Sequence, residues 1–333
     1  VSGGSPKAVA LLSGGLDSTL AVKLVLEQGI AVEALNFHTP FCQCNRRGVC
    51  EATRVAAEFG IPCRTLPMVD EFFERIRQPR YGYGSGMNPC LDCRILMFSR
   101  ARKHMVETGA DFVFTGEVVG ERPMSQRRDA MRIIERESGL QGYLLRPLSA
   151  KLLPPTVPEQ EGLIDRERLL AIRGRSRKPQ MTLAEAHSIT DYPCPAGGCL
   201  LTDRGFARRM RDLVAYTPHF RLNDVSLLKV GRHFRLNPEV KAVVGRDEDE
   251  NARIAALARP GDLLLEVGDW GSPTTLLRGS SGEDEIRLAA SMTVRYSDAP
   301  GRAAVHCRRA EGTGTREFDA EPLGQDVLDA LRL

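Results

Sequence analysis

With 333 residues and an apolar fraction of 42%, the chain is long enough for two or three domains with sizeable cores. A net charge of only +3 excludes bulk charge as a basis for nucleic-acid binding, so any such surface must be local. No apolar run reaches the roughly 18 residues of a membrane span and no charged-then-apolar signal segment opens the sequence, which points away from membranes and to the cytoplasm.

In chain order, the first half alternates short apolar runs with amphipathic ones. Strands are expected over 9–12, 32–37, 112–115 and 143–145, and helices over 17–28, 50–59, 91–107 and 127–137. That order predicts an α/β fold over residues 1–150, a doubly wound parallel sheet with ligands at the carboxyl ends of its strands. The loops "LSGGLDS", "NFHTP" and "TGEVVGERP" would gather there. The proline-rich stretch 147–162 leads out of the sheet into an extension over 151–218, with helices around 165–172, 182–187 and 203–215 and a "CPAGGC" loop between the last two. From 219 to 333 short strands and one capped helix read as a smaller α+β domain.

The first glycine loop carries chemistry. Gly14 and Gly15 let the backbone approach a ligand, Ser13 and Ser18 add hydroxyl donors, and the helix beginning near Asp17 aims its positive end at the same point. This is an anion cradle suited to phosphate or pyrophosphate, without the Gly-Lys-Ser/Thr ending of a Walker A loop. The nine cysteines bunch as "CQC", "NPCLDC" and "CPAGGC", a pattern of metal binding or thiol chemistry rather than of a disulfide framework. Cys90 and Cys93 lie one helical turn apart, and Cys199 sits in a glycine-flanked loop. By itself the Cys90-x-x-Cys93 pair reads equally as a zinc half-site or a redox pair. Cys42, Cys44 and Cys50 form a thiol-rich loop not assigned as ligands, Cys194 is a spare thiol, and Cys63 and Cys307 are expected to be buried and inert. Basic residues concentrate locally: Arg122, Arg127, Arg128, Arg132 and Arg136 in one loop and helix, six more between Arg166 and Lys178, and four between Arg204 and Arg211.

The stretch "LLSGGLDS" resembles the PP-loop signature of N-type ATP pyrophosphatases, and "NPCLDC" with "GGC" resembles the two cysteine motifs of the PP-loop tRNA thiouridine synthases. The resemblance implies a uridine carbonyl oxygen adenylated by ATP and replaced by sulfur, giving thiouridine, AMP and pyrophosphate. It implies that Leu12, Ser13, Gly14, Gly15, Leu16, Asp17, Ser18, Phe37 and Gly116 bind ATP, with Asp17 beside the phosphates and Mg2+. It further implies that Cys93 and Cys199 are catalytic and that Cys90, Cys93 and Cys199 hold a [4Fe-4S] cluster with one open iron. The alternative is a persulfide carried by Cys93 and Cys199 without a cluster. Asn88, Pro89, Arg122, Arg127 and Arg128 would meet RNA, although the loop after Gly116 departs from that of the better-known 2-thiouridylases. Residues 227–323 resemble the NFACT-R RNA-binding domain through "GRDEDEN" and "AASMTVRYS", with Trp270 and Tyr296 as candidates for base stacking. The implied partners are tRNA and a sulfur donor, either sulfide or a cysteine desulfurase relay; no motif fixes the oligomeric state. The rivals are sulfur insertion into a small molecule and a non-enzymatic tRNA-binding factor with a relic ATP site.

Overall fold

The computed structural model describes residues 5–43, 45–46, 49–192 and 198–333. Cys44 and Cys194 lie outside them. The chain divides into two compact units, Val1–Thr202 and Asp203–Leu333. Among the described residues no helix is long and apolar enough to cross a membrane.

The first unit is built on a five-stranded parallel sheet. Its elements run β1 (Lys7–Leu11), α1 (Leu16–Leu26), β2 (Ala31–His38), the two-residue strands β3 (Asn45–Arg46) and β4 (Val49–Cys50), α2 (Glu51–Glu58), β5 (Cys63–Pro67), α3 (Asp70–Arg77), α4 (Cys90–Thr108), β6 (Phe112–Thr115), α5 (Arg128–Ser138), β7 (Leu144–Leu145), α6 (Val157–Gln160) and α7 (Lys178–Ala186). The strand order is β5-β2-β1-β6-β7, with β1 paired in parallel to β2 on one side and β6 on the other. The winding reverses at β1, so the crevice between β1 and β6 is the topological switch point where such sheets bind ligands. Both faces of the central strands are apolar: on one, Ala8, Ala10, Phe112 and Phe114 pack with α1 and α2 residues such as Val22, Val25 and Val55, and on the other Val9 and Val113 are fully buried.

Sequence and structure part company in three places. Strand β5 and helix α3 are not expected from the sequence; β5 is a half-exposed sheet edge whose Cys-Arg-Thr-Leu-Pro shows no apolar run. The helix expected over 165–172 is reduced to one 3₁₀ turn, Arg166–Arg168. Its backbone pairs elsewhere, with Leu170 and Ile172 N–H donating to the carbonyls of Pro147 and Leu148. The extension does not leave the sheet domain: Leu170, Ile172, Leu183 and Ala184 pack on Leu16, Leu20, Leu24 and Val118. The division into compact units falls after Thr202, inside the extension expected over 151–218.

The second unit opens with α8 (Arg204–Tyr216) and α9 (Leu222–Leu227) and continues with β8 (Arg232–Arg235), β9 (Lys241–Val244), α10 (Glu248–Leu257), β10 (Leu263–Val267), β11 (Thr275–Arg278), α11 (Glu283–Arg295), β12 (Ala303–Arg309), β13 (Thr315–Ala320) and α12 (Gln325–Leu331). Its six strands form an antiparallel sheet in the order β13-β12-β10-β11-β9-β8. Alternate residues serve opposite faces, as the two-residue period of a strand requires. Val243, Leu264 and Leu276 pack with Leu227 and Ile254, while Ala242, Val244, Leu265 and Leu277 pack with Ile286, Ala290 and Val294. The "GRDEDEN" stretch is a structural clamp. Asn251 accepts from Thr274 N–H and donates to the Ser272 carbonyl, and it passes so close to Gly245 that a Cβ there would lie 2.0 Å from its Oδ1.

Candidate nucleotide and thiol site

The glycine loop joins β1 to α1 at the switch point. Gly14 has a φ of +77°, and a Cβ there would lie 2.5 Å from the backbone of Glu51, so only glycine allows the loop to meet the start of α2. Gly116, just beyond β6, is excluded from bearing a side chain by the opposite wall: its Cβ would come 2.4 Å from the backbone of Asp17 and Ser18. The loop is thus held between two glycine contacts. Ser18 Oγ donates to the Gly15 carbonyl at 2.8 Å and lies 3.2 Å from Ser13 Oγ. Buried Asn36 donates to the Leu12 carbonyl at 2.9 Å. No side chain caps the first turn of α1, whose N–H groups therefore remain available to an anion. Phe37 is buried at the end of β2.

A cluster of charged and polar groups surrounds this loop, and several lack well-formed partners. Arg177 reaches Asp17 at 3.5 Å, while Asp17 Oδ1, Arg177 Nε and both amide atoms of the fully buried Gln180 make no well-formed hydrogen bond. Burial raises the Asp17 carboxyl above its ordinary value, against the pull of Arg177, Gln180 and Arg122. Glu121 is raised as well, by burial and then by the Asp17 charge. Buried unsatisfied groups concentrated at one loop mark a place built for something other than stability. Arg122, read from sequence as an RNA contact, acts electrostatically on the nucleotide loop. Gln180 and Arg177 do not stand out in the sequence; the segment carrying them shows only basic density.

The cysteines come from three loops that meet. Pro89 N-caps α4, so Cys90 and Cys93 lie in its first turn. The Asp92 carboxylate between them is turned inward, accepting from Arg80 and Tyr81 N–H at 3.0 and 3.1 Å. Asn88 is buried; its Oδ1 accepts from Gly86 N–H, and its Nδ2 donates to Cys90 Sγ at 3.1 Å. Its amide thus shapes the thiol loop from within. Met87 N–H donates to the Leu201 carbonyl, joining this loop to that of Cys199. Leu200 N–H donates to the Phe41 carbonyl, joining the Cys199 loop to the segment after β2, and Cys42 pairs with Cys199 as an antiparallel bridge. Phe41 is fully buried against Phe72 and Phe73, which anchors that segment.

Cys42, unassigned on sequence grounds, therefore belongs with Cys90, Cys93 and Cys199. Burial pushes the Cys199 thiol up to about 12, and the charges of Cys42 and Cys90 add to it. The Cys93 thiol is raised further by burial, with Arg94 opposing and Cys199, Cys90 and Cys42 reinforcing. Among the described residues no three His, Cys, Asp or Glu side chains stand ready-made around a metal position. The donor chemistry nonetheless suits a soft metal centre: thiols from adjoining loops, which a cation would draw into the thiolate form together.

The nucleotide loop and the thiols are wired through Glu117. It follows Gly116, binds the fully buried Arg146 at 3.0 Å and reaches Arg94, beside Cys93, at 3.5 Å. Glu135 on α5 also pairs with Arg146. The exposed face of α5 carries Arg128, Arg132 and Arg136 at four-residue spacing, and Arg127 pairs with Asp129. In the second unit Trp270 is 49% exposed, whereas Tyr296 packs against the sheet core beneath Arg232.

Residues 6–161 match the tRNA methyl transferase HUP domain family, and residues 231–331 match the NFACT protein RNA binding domain family. A tRNA-specific 2-thiouridylase MnmA from a Nitratiruptor species is 31% identical over 158 residues, 45% of this chain and 44% of that protein. The MnmA of Listeria monocytogenes serotype 4b is 24% identical over 343 residues, 95% of this chain and 88% of its own. The chain thus spans less than half of the first relative and most of the second. Among solved structures, the U34-tRNA thiolase NcsA from Methanococcus maripaludis with its [4Fe-4S] cluster is 18% identical, with a TM-score of 0.36 over 68% of this chain and 72% of that one.

Proposed function

From the premise that this chain joins a PP-loop domain of the tRNA methyl transferase HUP family to an NFACT-type RNA-binding domain, we propose that it is an ATP-dependent tRNA thiolase. The observation that carries this reading is the Gly116-Glu117 connection, which touches Asp17 and Ser18 on one side and Arg94, beside Cys93, on the other. An anion cradle and a thiol cluster so joined suit activation of an oxygen by ATP and its displacement by sulfur. The RNA-binding family match supports RNA as the substrate class, and the relative matched over most of this chain is named a tRNA-specific 2-thiouridylase.

In this reading the uncapped N–H groups of α1 with Ser13 and Ser18 hold pyrophosphate, and Phe37 and Gly116 border the adenosine. Asp17 and Glu121 would hold the magnesium ion that accompanies the nucleotide, whose charge would offset the burial that raises both carboxyls. Arg177 and Arg122 steady negative charge as the α-phosphate transfers to the uridine oxygen. Arg128, Arg132 and Arg136 meet RNA phosphates.

Cys90, Cys93 and Cys199 would hold a [4Fe-4S] cluster, which when bound supplies an open iron for exogenous sulfide. The pairing of Cys42 with Cys199 favours a second route, in which Cys199 carries the sulfur as a persulfide. The discriminating experiment incubates anaerobically purified full chain with tRNA, MgATP and a sulfur source, then digests the RNA for nucleoside mass spectrometry and measures iron. Thiouridine formed with AMP supports the reading, and iron-dependence of its yield selects the cluster. Absence of thiouridine under both iron-loaded and persulfide-loaded conditions rejects the reading.

A further inference from the structure

We propose that Cys42 is the resolving thiol of sulfur transfer, attacking Cys199 to leave a reversible Cys42–Cys199 disulfide; this rests on the thiolase reading and its persulfide route. Neither the "CQC" motif nor the family matches assign Cys42 a task.

Three features of the loop support it. First, the hydrogen bond from Leu200 N–H to the Phe41 carbonyl flanks the bridge, so Cys42 and Cys199 form a non-hydrogen-bonded antiparallel pair. Such pairs hold their Cα atoms about 4.5 Å apart with side chains on the same face, inside the range of about 4.4–6.8 Å that a disulfide spans. Second, Cys42 is furnished as a nucleophile: Thr39 N–H donates to its Sγ at 3.4 Å, and the Thr39 hydroxyl lies 3.2 Å from it. Third, both thiols keep partial exposure, unlike Cys307, which is buried. Cys93, by contrast, sits against Met97 Sδ at 3.7 Å, with no backbone pairing to Cys199 among the described residues.

The chemistry balances. The terminal sulfur of a Cys199 persulfide, supplied by a zero-valent sulfur donor, bonds to the adenylated uridine carbon. AMP leaves with the former carbonyl oxygen and its electron pair. The Cys42 thiolate then attacks Cys199 Sγ, breaking the bond to the transferred sulfur. That electron pair stays on the base as the thiocarbonyl, and the Cys42 proton passes to solvent. The transferred sulfur is reduced by two electrons, and the two cysteines are oxidised by two. A dithiol reductant restores them by exchange.

The test has two arms. In the first, the reduced, iron-free full chain is equilibrated in a glutathione redox buffer, alkylated and mapped by non-reducing peptide mass spectrometry. Cys42–Cys199 should be the dominant cross-link, lost in Cys42→Ser and retained in Cys63→Ser. A dominant Cys93–Cys199 or Cys90–Cys93 cross-link would overturn the inference. In the second, chain loaded with persulfide from inorganic polysulfide is given tRNA and MgATP for one turnover. One Cys42–Cys199 disulfide should appear per thiouridine. Thiouridine formed while Cys42 stays fully alkylatable would overturn the inference and spare the thiolase reading. A cross-link in the first arm with no thiouridine in the second would overturn the thiolase reading and, with it, this role for Cys42.

Discussion

Asp17 shows at a single residue how the site trades stability for use. Its carboxyl is raised by burial, so the folded chain favours the protonated form. A carboxyl with a higher value folded than unfolded contributes stability below its ordinary 3.8, and that contribution is lost as pH rises through the raised value. At neutral pH the charge is a cost, which MgATP would offset in the function proposed above. Asp17→Asn should raise the thermal midpoint of the free chain at pH 7 and lower thiolation roughly a hundredfold or more. Calorimetry and nucleoside mass spectrometry check the pair; a lower midpoint with full turnover would contradict it. Glu117→Gln should behave oppositely. It leaves Arg146 buried beside an uncharged partner, a loss of about 3–5 kcal/mol in denaturant unfolding by analogy with broken buried pairs. Unchanged stability would show that Glu135 alone suffices for Arg146.

At the scale of elements, glycine contacts fix where the PP-loop lies. Gly116→Ala would push a Cβ into the backbone of Asp17 and Ser18, the first turn of α1. The variant should keep its far-ultraviolet circular dichroism and lose most ATP binding, measured by calorimetric titration; wild-type affinity would show that the contact can relax. This contact also marks what is legible in the sequence. The Ser-Gly-Gly loop between an apolar run and an amphipathic one is a local signal, and the sheet, its polarity and the loop cluster follow from alternation of such runs. What is not legible depends on partners distant in the chain. Strand β5 exists because β2 offers it an edge, and the 165–172 segment forsakes a helix for the carbonyls of Pro147 and Leu148. Cys42 joins the thiols only through a backbone bond between Phe41 and Leu200, across a separation no spacing rule reads. Asn88 likewise reads in the sequence as an RNA contact, yet its amide turns inward, as does the Asp92 carboxylate, to shape the Cys90–Cys93 turn.

For the whole molecule, each unit has its own sheet and core, and the RNA-binding family match lies within the second. A chain ending at Thr202 should stay folded and bind tRNA more weakly, with a shallower dependence on salt as phosphate contacts are lost. Filter binding across a salt series reads this directly; an unchanged slope would deprive the second unit of a role in RNA binding. In the function proposed above, this molecule uses ATP to put sulfur on tRNA uridine. Nucleoside mass spectrometry of tRNA incubated with the full chain and a sulfur donor, with ATP and without, decides this. Thiouridine and an equal yield of AMP should form only when ATP is present, and both should be lost in Asp17→Ala. Thiouridine made equally well without ATP, or made at the wild-type rate by a folded Asp17→Ala chain, would contradict it.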